Sequence, residues 1–290
     1  MLRVTAVSFC LGNSKISTIA LWEKHLTEML TESLSKSSVV LLPELFWLDL
    51  ARLLPPMTQK KLMAEISDLV WNLFIPKLQI QLAQEKKPFL LVLGTAPRQQ
   101  QGKFFNSAPI LMNKKFIVQD KIYLTPWEKT FTSGKKLHCF SFQKLNVVVP
   151  ICYDIEHPYY AEQLKQAQVD LLLVPSATET RLGNERVLRC ASARGVELGC
   201  AVVSVPLIGK SQCNMVDQNV GAQGFFLPSQ VGMEAYQSQL SIYSTYETEV
   251  EVRATYDLPV DWLKQLKKSN RTHETRPFLK KNPAFHLQLH

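Results

Sequence analysis

No apolar stretch in this 290-residue chain approaches the roughly 20 residues that a membrane-spanning helix needs. The longest are as short as residues 89–93, so a helical membrane protein is excluded. Six cysteines (Cys10, Cys139, Cys152, Cys190, Cys200, Cys213) form no CxxC pair, and no His/Cys group has zinc-site spacing, which argues against a structural metal. There is no glycine-rich phosphate loop, no internal repeat and no Pro/Ser linker in the first 260 residues. At 46% apolar and 20% charged residues, disordered and low-complexity classes are excluded as well.

What the chain has in excess is positive charge, with 33 Lys+Arg against 25 Asp+Glu. A basic protein is a candidate for binding nucleic acid or a membrane surface, so the placement of the charge decides. Seven basic residues (Lys264, Lys267, Lys268, Arg271, Arg276, Lys280, Lys281) stand against Asp261 and Glu274 in residues 261–290, so this tail carries +5 of the net +8. The first 260 residues are left at an unremarkable +3. Apolar side chains interleave with the tail's charges at Phe278, Leu279 and Phe285, a pattern suited to docking on protein rather than on nucleic acid or membrane. The expected organisation is one domain over 1–260 and a basic tail over 261–290 that packs on a partner subunit.

The start, MLRVTAVSFCLG, carries one Arg before a short apolar stretch, as signal peptides do. Its alternation fits an initial strand at least as well, and no convincing cleavage site follows. A cytoplasmic protein with reduced thiols is the expectation. Asn13 or Ser14 is positioned to cap a helix to about Ser35 with Ile19, Trp22, Leu26, Met29 and Leu30 on one face. A second helical stretch covers 58–85, and Pro76 is expected to kink or divide it. Strand-like runs fall at 39–42, 89–93, 106–112, 137–142, 146–151, 171–174 and 200–205, with helices near 159–168 and 184–198. Helices and strands alternate early and late, while consecutive strands fill the middle. The pattern reads as a layered α/β protein with a mixed sheet.

Three reactive side chains directly follow apolar strand-like runs: Glu44 after 39–43, Lys121 after Phe116-Ile117-Val118, and Cys152 after 147–151. Open α/β sheets place ligands beyond the carboxyl ends of their strands, so these ends are candidates to converge. Taken singly, each also has a plain structural reading: a turn carboxylate, a surface lysine, a buried thiol. Together they supply what acyl transfer needs: a thiol nucleophile, a base for its proton and a positive charge for the developing oxyanion, with no histidine required.

These residues lie in segments that resemble the carbon–nitrogen hydrolase (nitrilase-like) superfamily, whose signature is a Glu–Lys–Cys triad in this chain order. LLPELF is similar to its glutamate segment, FNSAPILMNKKFIVQDKIYLTPWE to its lysine segment, and VVVPICYDIEHP to its cysteine segment. VDLLLVPSATET and ARGVELGCAVVSV resemble its downstream strand–helix–strand, so the likeness runs over residues 2–256. The ATETR and ERVLRCASARGVEL segments look most like the branch sometimes fused to an acetyltransferase.

The resemblance implies a four-layer α-β-β-α sandwich and hydrolysis of a small amide or N-acyl substrate, with water as co-substrate. It implies Cys152 as nucleophile, Glu44 as general base, Lys121 as stabiliser of the tetrahedral intermediate, and Glu128 as the orienting glutamate. The backbone N–H of Tyr153 would complete the oxyanion site. Trp127, His157, Thr178 and Arg181 are candidates for substrate contact, with a loop ion pair the alternative for Arg181 and a partly buried structural role the alternative for His157. No cofactor or metal is implied, and the family's habit suggests a homodimer through 159–168 and 184–198. The chain departs from the family pattern at Asn146–Ile151, where a glycine is usual, and at His157-Pro158-Tyr159. The rival readings are a catalytically silent scaffold of the same fold, a nitrilase acting on a nitrile, and a shorter isochorismatase-like cysteine hydrolase that would leave KIYLTPWE and ARGVEL unexplained.

Overall fold

The computed structural model describes residues 2–12, 15–113, 115–211, 217–230, 233–268 and 288. The chain opens with strand β1 (Leu2–Ser8) and a short β2 (Cys10–Leu11) before helix α1 (Ile19–Lys36). Thr18 caps α1, its side chain accepting the Leu21 N–H at 3.2 Å; Asn13 and Ser14, the caps expected from the sequence, lie outside the described residues. After β3 (Val39–Leu42) and a 3-10 helix (Phe46–Leu53) come α2 (Gln59–Asp68) and α3 (Ile75–Leu82). These two helices are joined through a π-helical segment over Leu69–Phe74 rather than broken. The Ile75 N–H bonds back to the Val70 carbonyl, one residue further than in an α-helix, and Pro76 then enters in the first turn of α3. An extra residue in the turn accommodates a proline that lacks the N–H an α-helical ladder would use.

The middle of the chain supplies β4 (Leu90–Leu93), β5 (Ala96–Gln100), β6 (Lys103–Met112), β7 (Lys115–Asp120), β8 (Cys139–Phe142) and β9 (Leu145–Val148). A 3-10 turn (Cys152–Glu156) leads into α4 (Pro158–Gln166), β10 (Leu171–Ser176), α5 (Arg181–Leu198) and β11 (Ala201–Pro206). The last part holds β12 (Ile208–Lys210), β13 (Gln218–Asn219), β14 (Gly224–Phe226), β15 (Ser241–Tyr243), β16 (Val252–Leu258) and α6 (Val260–Lys268).

Two large mixed sheets and a small three-stranded one, β13-β12-β2, result. The first runs β16-β1-β3-β4-β6-β5, with β7 also on β6, and the second runs β15-β14-β11-β10-β9-β8. Parallel pairing runs through β1-β3-β4, β9-β10-β11 and the short β2-β12 pair; consecutive strands β5, β6 and β7 pair antiparallel, as do β8 and β9. Side chains alternate between the faces of the first sheet. Val39, Leu41, Leu90 and Val92 join the core shared with Val147, Leu171 and Leu173 of the second sheet. Val40, Leu42, Leu91 and Leu93 point the other way, onto Trp22, Leu26, Ile66 and Phe74 of the helical layer. Tyr160, Leu164, Val187 and Leu188 of α4 and α5 join the core on the second sheet's side. The architecture is therefore the α-β-β-α sandwich that the resemblance implied.

The apolar pattern before residue 206 marks most of the observed elements, but β2, β5 and all of β12 to β16 had no counterpart in that reading. β16 places Tyr256 and Leu258 in the core beside β1 while alternate residues face solvent. The first eight residues of the basic tail belong to α6, which buries Leu263 and Leu266. Residues 269–287, with most of the tail's charge, lie outside the described residues. Among the described residues no helix is long and apolar enough to cross a membrane.

Candidate active site

The strand ends that carry Glu44, Lys121 and Cys152 do meet. Glu44 follows β3 and Pro43, and the chain turns at once: Leu45 is left-handed, with φ 57°, and its N–H donates to Thr95 Oγ1 at 2.8 Å. Gly94, just past β4, makes that turn possible, because a Cβ there would stand 2.3 Å from the Pro43 carbonyl oxygen. Lys121 follows β7 with its backbone held on both sides, its N–H donating to Asn106 O at 2.8 Å and its carbonyl accepting from Gly134 at 2.7 Å. Cys152 opens the 3-10 turn after β9 and Ile151, and it too is left-handed, with φ 46°. A non-glycine residue in that region stores strain, which surrounding contacts must hold in place.

Here Asp154 does the holding. Its Oδ2 accepts the Ile151 N–H at 3.0 Å, and its Oδ1 accepts the N–H groups of Ile122 at 3.1 Å and Tyr123 at 2.7 Å. One carboxylate thus ties the turn bearing Cys152, from the second sheet, to the segment bearing Lys121, from the first. Burial pushes the Asp154 carboxyl up to about 7, against the pull of the backbone N–H groups around it.

The Lys121 ammonium is 2% exposed and lies 2.7 Å from both Glu44 Oε1 and Glu128 Oε2. Asn106 Nδ2 donates to both carboxylates, at 2.9 and 3.0 Å. Glu128 further accepts the N–H of Thr125 at 2.9 Å and its hydroxyl at 3.1 Å. Two carboxylates therefore share one ammonium, but not equally. Burial raises the Glu44 carboxyl above its usual range, outweighing the attraction of Lys121, and the nearby Glu128 charge adds to the rise. Burial also acts to raise Glu128, yet Lys121 and the hydrogen bonds from Thr125 and Asn106 bring it below its usual range. Burial acts to lower Lys121, but the two glutamates overcome it and the ammonium holds its proton more tightly than usual. The two carboxyl groups are thus driven apart, and Glu44 takes up a proton more readily than Glu128.

Ala177, just past β10, touches both remaining partners. Its N–H donates to Glu44 Oε2 at 3.0 Å, and its carbonyl accepts from Cys152 Sγ at 3.6 Å. Burial, with the Glu44 charge, pushes the Cys152 thiol well above its ordinary value despite Lys121. The thiol thus keeps its proton tightly beside the carboxyl group whose own affinity for a proton is raised. Tyr153 follows in the first turn of a helix, where its N–H has no partner within the helix itself. Among the described residues no cluster of three or more His, Cys, Asp or Glu side chains is disposed to hold a metal ion.

A carbon–nitrogen hydrolase family model matches residues 13–220, more than half of the chain. The chain belongs to the carbon–nitrogen hydrolase family. It is 29% identical over 136 residues to a probable hydrolase, YhcX, of Bacillus subtilis (strain 168); the match covers 45% of this chain but only 26% of that protein. Among solved structures, an amidase of the nitrilase superfamily from Nesterenkonia AN1 superposes with a TM-score of 0.66 at 16% identity, covering 91% of this chain and 93% of its own. A CN-hydrolase superfamily protein of Xanthomonas campestris, with an arsenic adduct in its active site, gives 0.67 at 16% identity and 99% of both chains.

In this carbon–nitrogen hydrolase the Glu44, Lys121, Glu128 and Cys152 side chains open onto a cavity of about 650 Å³, with Tyr153, Trp127 and Thr178 in its wall. His157 and Arg181 are not in that wall. His157 stacks flat on Tyr123 at 3.7 Å between ring centroids, and Arg181 stands over the Tyr246 ring at 5.4 Å. Arg186, one and a half turns further along α5, lines the cavity instead and donates to Glu156 Oε2 at 3.1 Å. Asn219 of the cavity wall and Asn106 beside the two glutamates are further site residues. Asn106 was legible as part of the lysine segment, but nothing in the spacing revealed that its amide bridges two glutamates.

Proposed function

We propose that this protein hydrolyses a small amide through a cysteine thioester. As Cys152 Sγ attacks the amide carbon, Glu44 accepts the thiol proton, and the new oxyanion lies toward the Lys121 ammonium and the Tyr153 N–H. Glu44 then returns the proton to the leaving nitrogen, the C–N bond breaks and ammonia or an amine departs, leaving an acyl thioester on Cys152. Water enters the vacated position and Glu44 takes one of its protons as the oxygen attacks the thioester carbon. Collapse of that intermediate expels the sulfur, which regains its proton from Glu44, and the carboxylic acid product leaves. Glu128 and Asn106 keep Lys121 in register throughout.

The observation that carries this reading is the double contact at Ala177, which aligns the Cys152 thiol beside the one carboxyl group of the cluster whose affinity for a proton is raised. A catalytically silent scaffold has no use for that alignment. In this reading the protein acts as a homodimer through α4 and α5, where Tyr159, Leu182 and Val196 expose apolar side chains.

Intact-protein mass spectrometry after brief exposure to a panel of small amides tests the mechanism. The expected result is a mass increase equal to one acyl group, mapped to Cys152 and absent from a folded Cys152→Ala variant that also lacks turnover. Undiminished hydrolysis by Cys152→Ala would refute the mechanism, and neither adduct nor turnover with any amide would favour the scaffold.

A further inference from the structure

Asn219 ends β13 and closes the cavity beside Thr178. The neighbouring backbone is fully paired: the Val220 N–H donates to Thr178 O at 3.0 Å, and the Thr178 hydroxyl donates to Val220 O at 3.1 Å. The Asn219 side chain is not. It is 0% exposed, and neither Oδ1 nor Nδ2 has a hydrogen-bond partner. Asn184, buried nearby on α5, shows the usual solution, since its amide both donates to Ala222 O at 3.4 Å and accepts the Ala222 N–H at 3.0 Å. Buried carboxamides are rarely left empty at both ends, and one whose residue lines the same cavity as Cys152 points to a ligand as the missing partner.

The chemistry of the gap restricts that ligand. Adjacent donor and acceptor atoms on Asn219 are satisfied together by a group offering an acceptor and a donor side by side, which a carboxamide or a urea does. A carboxylate would leave Oδ1 unpaired and facing another oxygen. The cavity's charges do not favour a carboxylate either: Lys121 is engaged by Glu44 and Glu128, Arg186 by Glu156, Lys129 is exposed, and Glu179 adds a further negative charge to the wall. An apolar acyl chain would leave both Asn219 atoms unpaired.

We propose that Asn219 is a specificity-determining residue that binds a second, neutral amide-like group on the acyl portion of the substrate. The substrate class is then a diamide or a ureido-amide, held at one end by Asn219 and cleaved at the other by Cys152. This rests on the amide-hydrolase reading above.

Succinamide, butyramide and succinamate share a four-carbon acyl skeleton and differ only at the far end, so they separate the possibilities. The wild-type protein is expected to hydrolyse succinamide with a kcat/KM on the order of a hundredfold above butyramide, because a site built to hydrogen-bond rejects an analogue that cannot. Asn219→Leu should bring succinamide down to the butyramide level. Calorimetric binding to a Cys152→Ala protein, with and without Asn219→Leu, should show the same preference without turnover. Asn219→Leu should also melt no lower than wild type, since it removes an unpaired buried amide; Asn219→Ala makes the same substrate comparison if the leucine does not fit.

Equal hydrolysis of succinamide and butyramide by the wild type would overturn the inference while leaving the amide-hydrolase reading intact. So would an equal loss on both substrates in the variant, or a preference for succinamate. Asn219-dependent binding of succinamide without any hydrolysis would instead sink the amide-hydrolase reading and uphold the binding site. Absence of binding by all three compounds overturns the inference as well.

Discussion

The Asp154 carboxylate accepts the Tyr123 N–H at 2.7 Å, and with the Ile122 and Ile151 N–H groups this bond joins the segment after Lys121 to the turn that carries Cys152. The two segments come from different sheets, so the separation of the lysine and the thiol depends on a third residue that itself belongs to neither sheet.

Asp154→Asn keeps one carbonyl acceptor but turns an NH2 toward a backbone donor. A loss of about 2 kcal/mol in unfolding free energy at acid pH is expected from the backbone donor left facing that NH2, together with a fall in kcat as Lys121 and Cys152 drift apart. Urea titration shows the first and steady-state kinetics the second. The pH dependence gives an independent readout. Burial raises Asp154 in the folded protein to about 7 from an ordinary 3.8, so the native state binds this proton more tightly than the unfolded chain does. The resulting stabilisation is full below the ordinary value and is lost as pH rises through about 7. The stability gap between wild type and variant should therefore narrow between pH 4 and pH 8. A gap that widens over that range would contradict the assignment.

The rate profile should carry the marks of Glu44 and Cys152. In the proposed mechanism the competent free enzyme has Glu44 ionised and Cys152 as the thiol. Glu44 is raised above its ordinary 4.5, so kcat/KM should fall on acidification with a midpoint displaced upward from that value. Cys152 is raised well above 9.0, so an alkaline limb due to the thiol should lie beyond pH 9. Measurement of kcat/KM from pH 4 to pH 10 checks both limbs. An acid limb at or below 4.5, or activity rising as the thiol ionises, would place the proton elsewhere.

The hairpin joining β8 and β9 turns through Gln143 and Lys144, both left-handed at φ 46° and 68° and both exposed. Turns of this geometry favour Asn-Gly, and an ordinary side chain at such a φ costs about 1 kcal/mol or more. Lys144→Gly should raise the urea midpoint without changing the slope, whereas Lys144→Ala should not. A lower midpoint for the glycine variant would mean that the lysine side chain makes a stabilising contact.

Much of the layering was legible because it follows from local pattern. Residues 39–42 and 171–174 are continuous apolar runs, as strands buried on both faces must be, and the observed strands cover them. The stripe Ile19, Trp22, Leu26, Met29, Leu30 marked α1, and all of these residues are buried except Ile19, which is half-buried. The later strands were harder to read. β14 and β15 have three residues each, and β16 is an edge strand with a half-exposed pattern that only its pairing with β1 makes regular. At the site, Arg181 and Arg186 are both basic residues on one helix, and only the rotation of α5 against the second sheet decides which of them faces the cavity.

By itself the sequence determined that a carboxylate and a thiol each stand at the end of a buried apolar run, because burial of such a run brings its reactive successor to the sheet's edge, and that an ammonium follows the apolar run of a third, partly exposed strand. Which proton each group holds was decided by the tertiary structure. Glu44 and Glu128 are the same residue type beside the same lysine, and they diverge because Thr125 supplies Glu128 with two further hydrogen bonds while Glu44 is the more deeply buried of the two. The unpaired amide of Asn219 is likewise a fact of packing, since the absence of a partner exists only once the neighbours are in place.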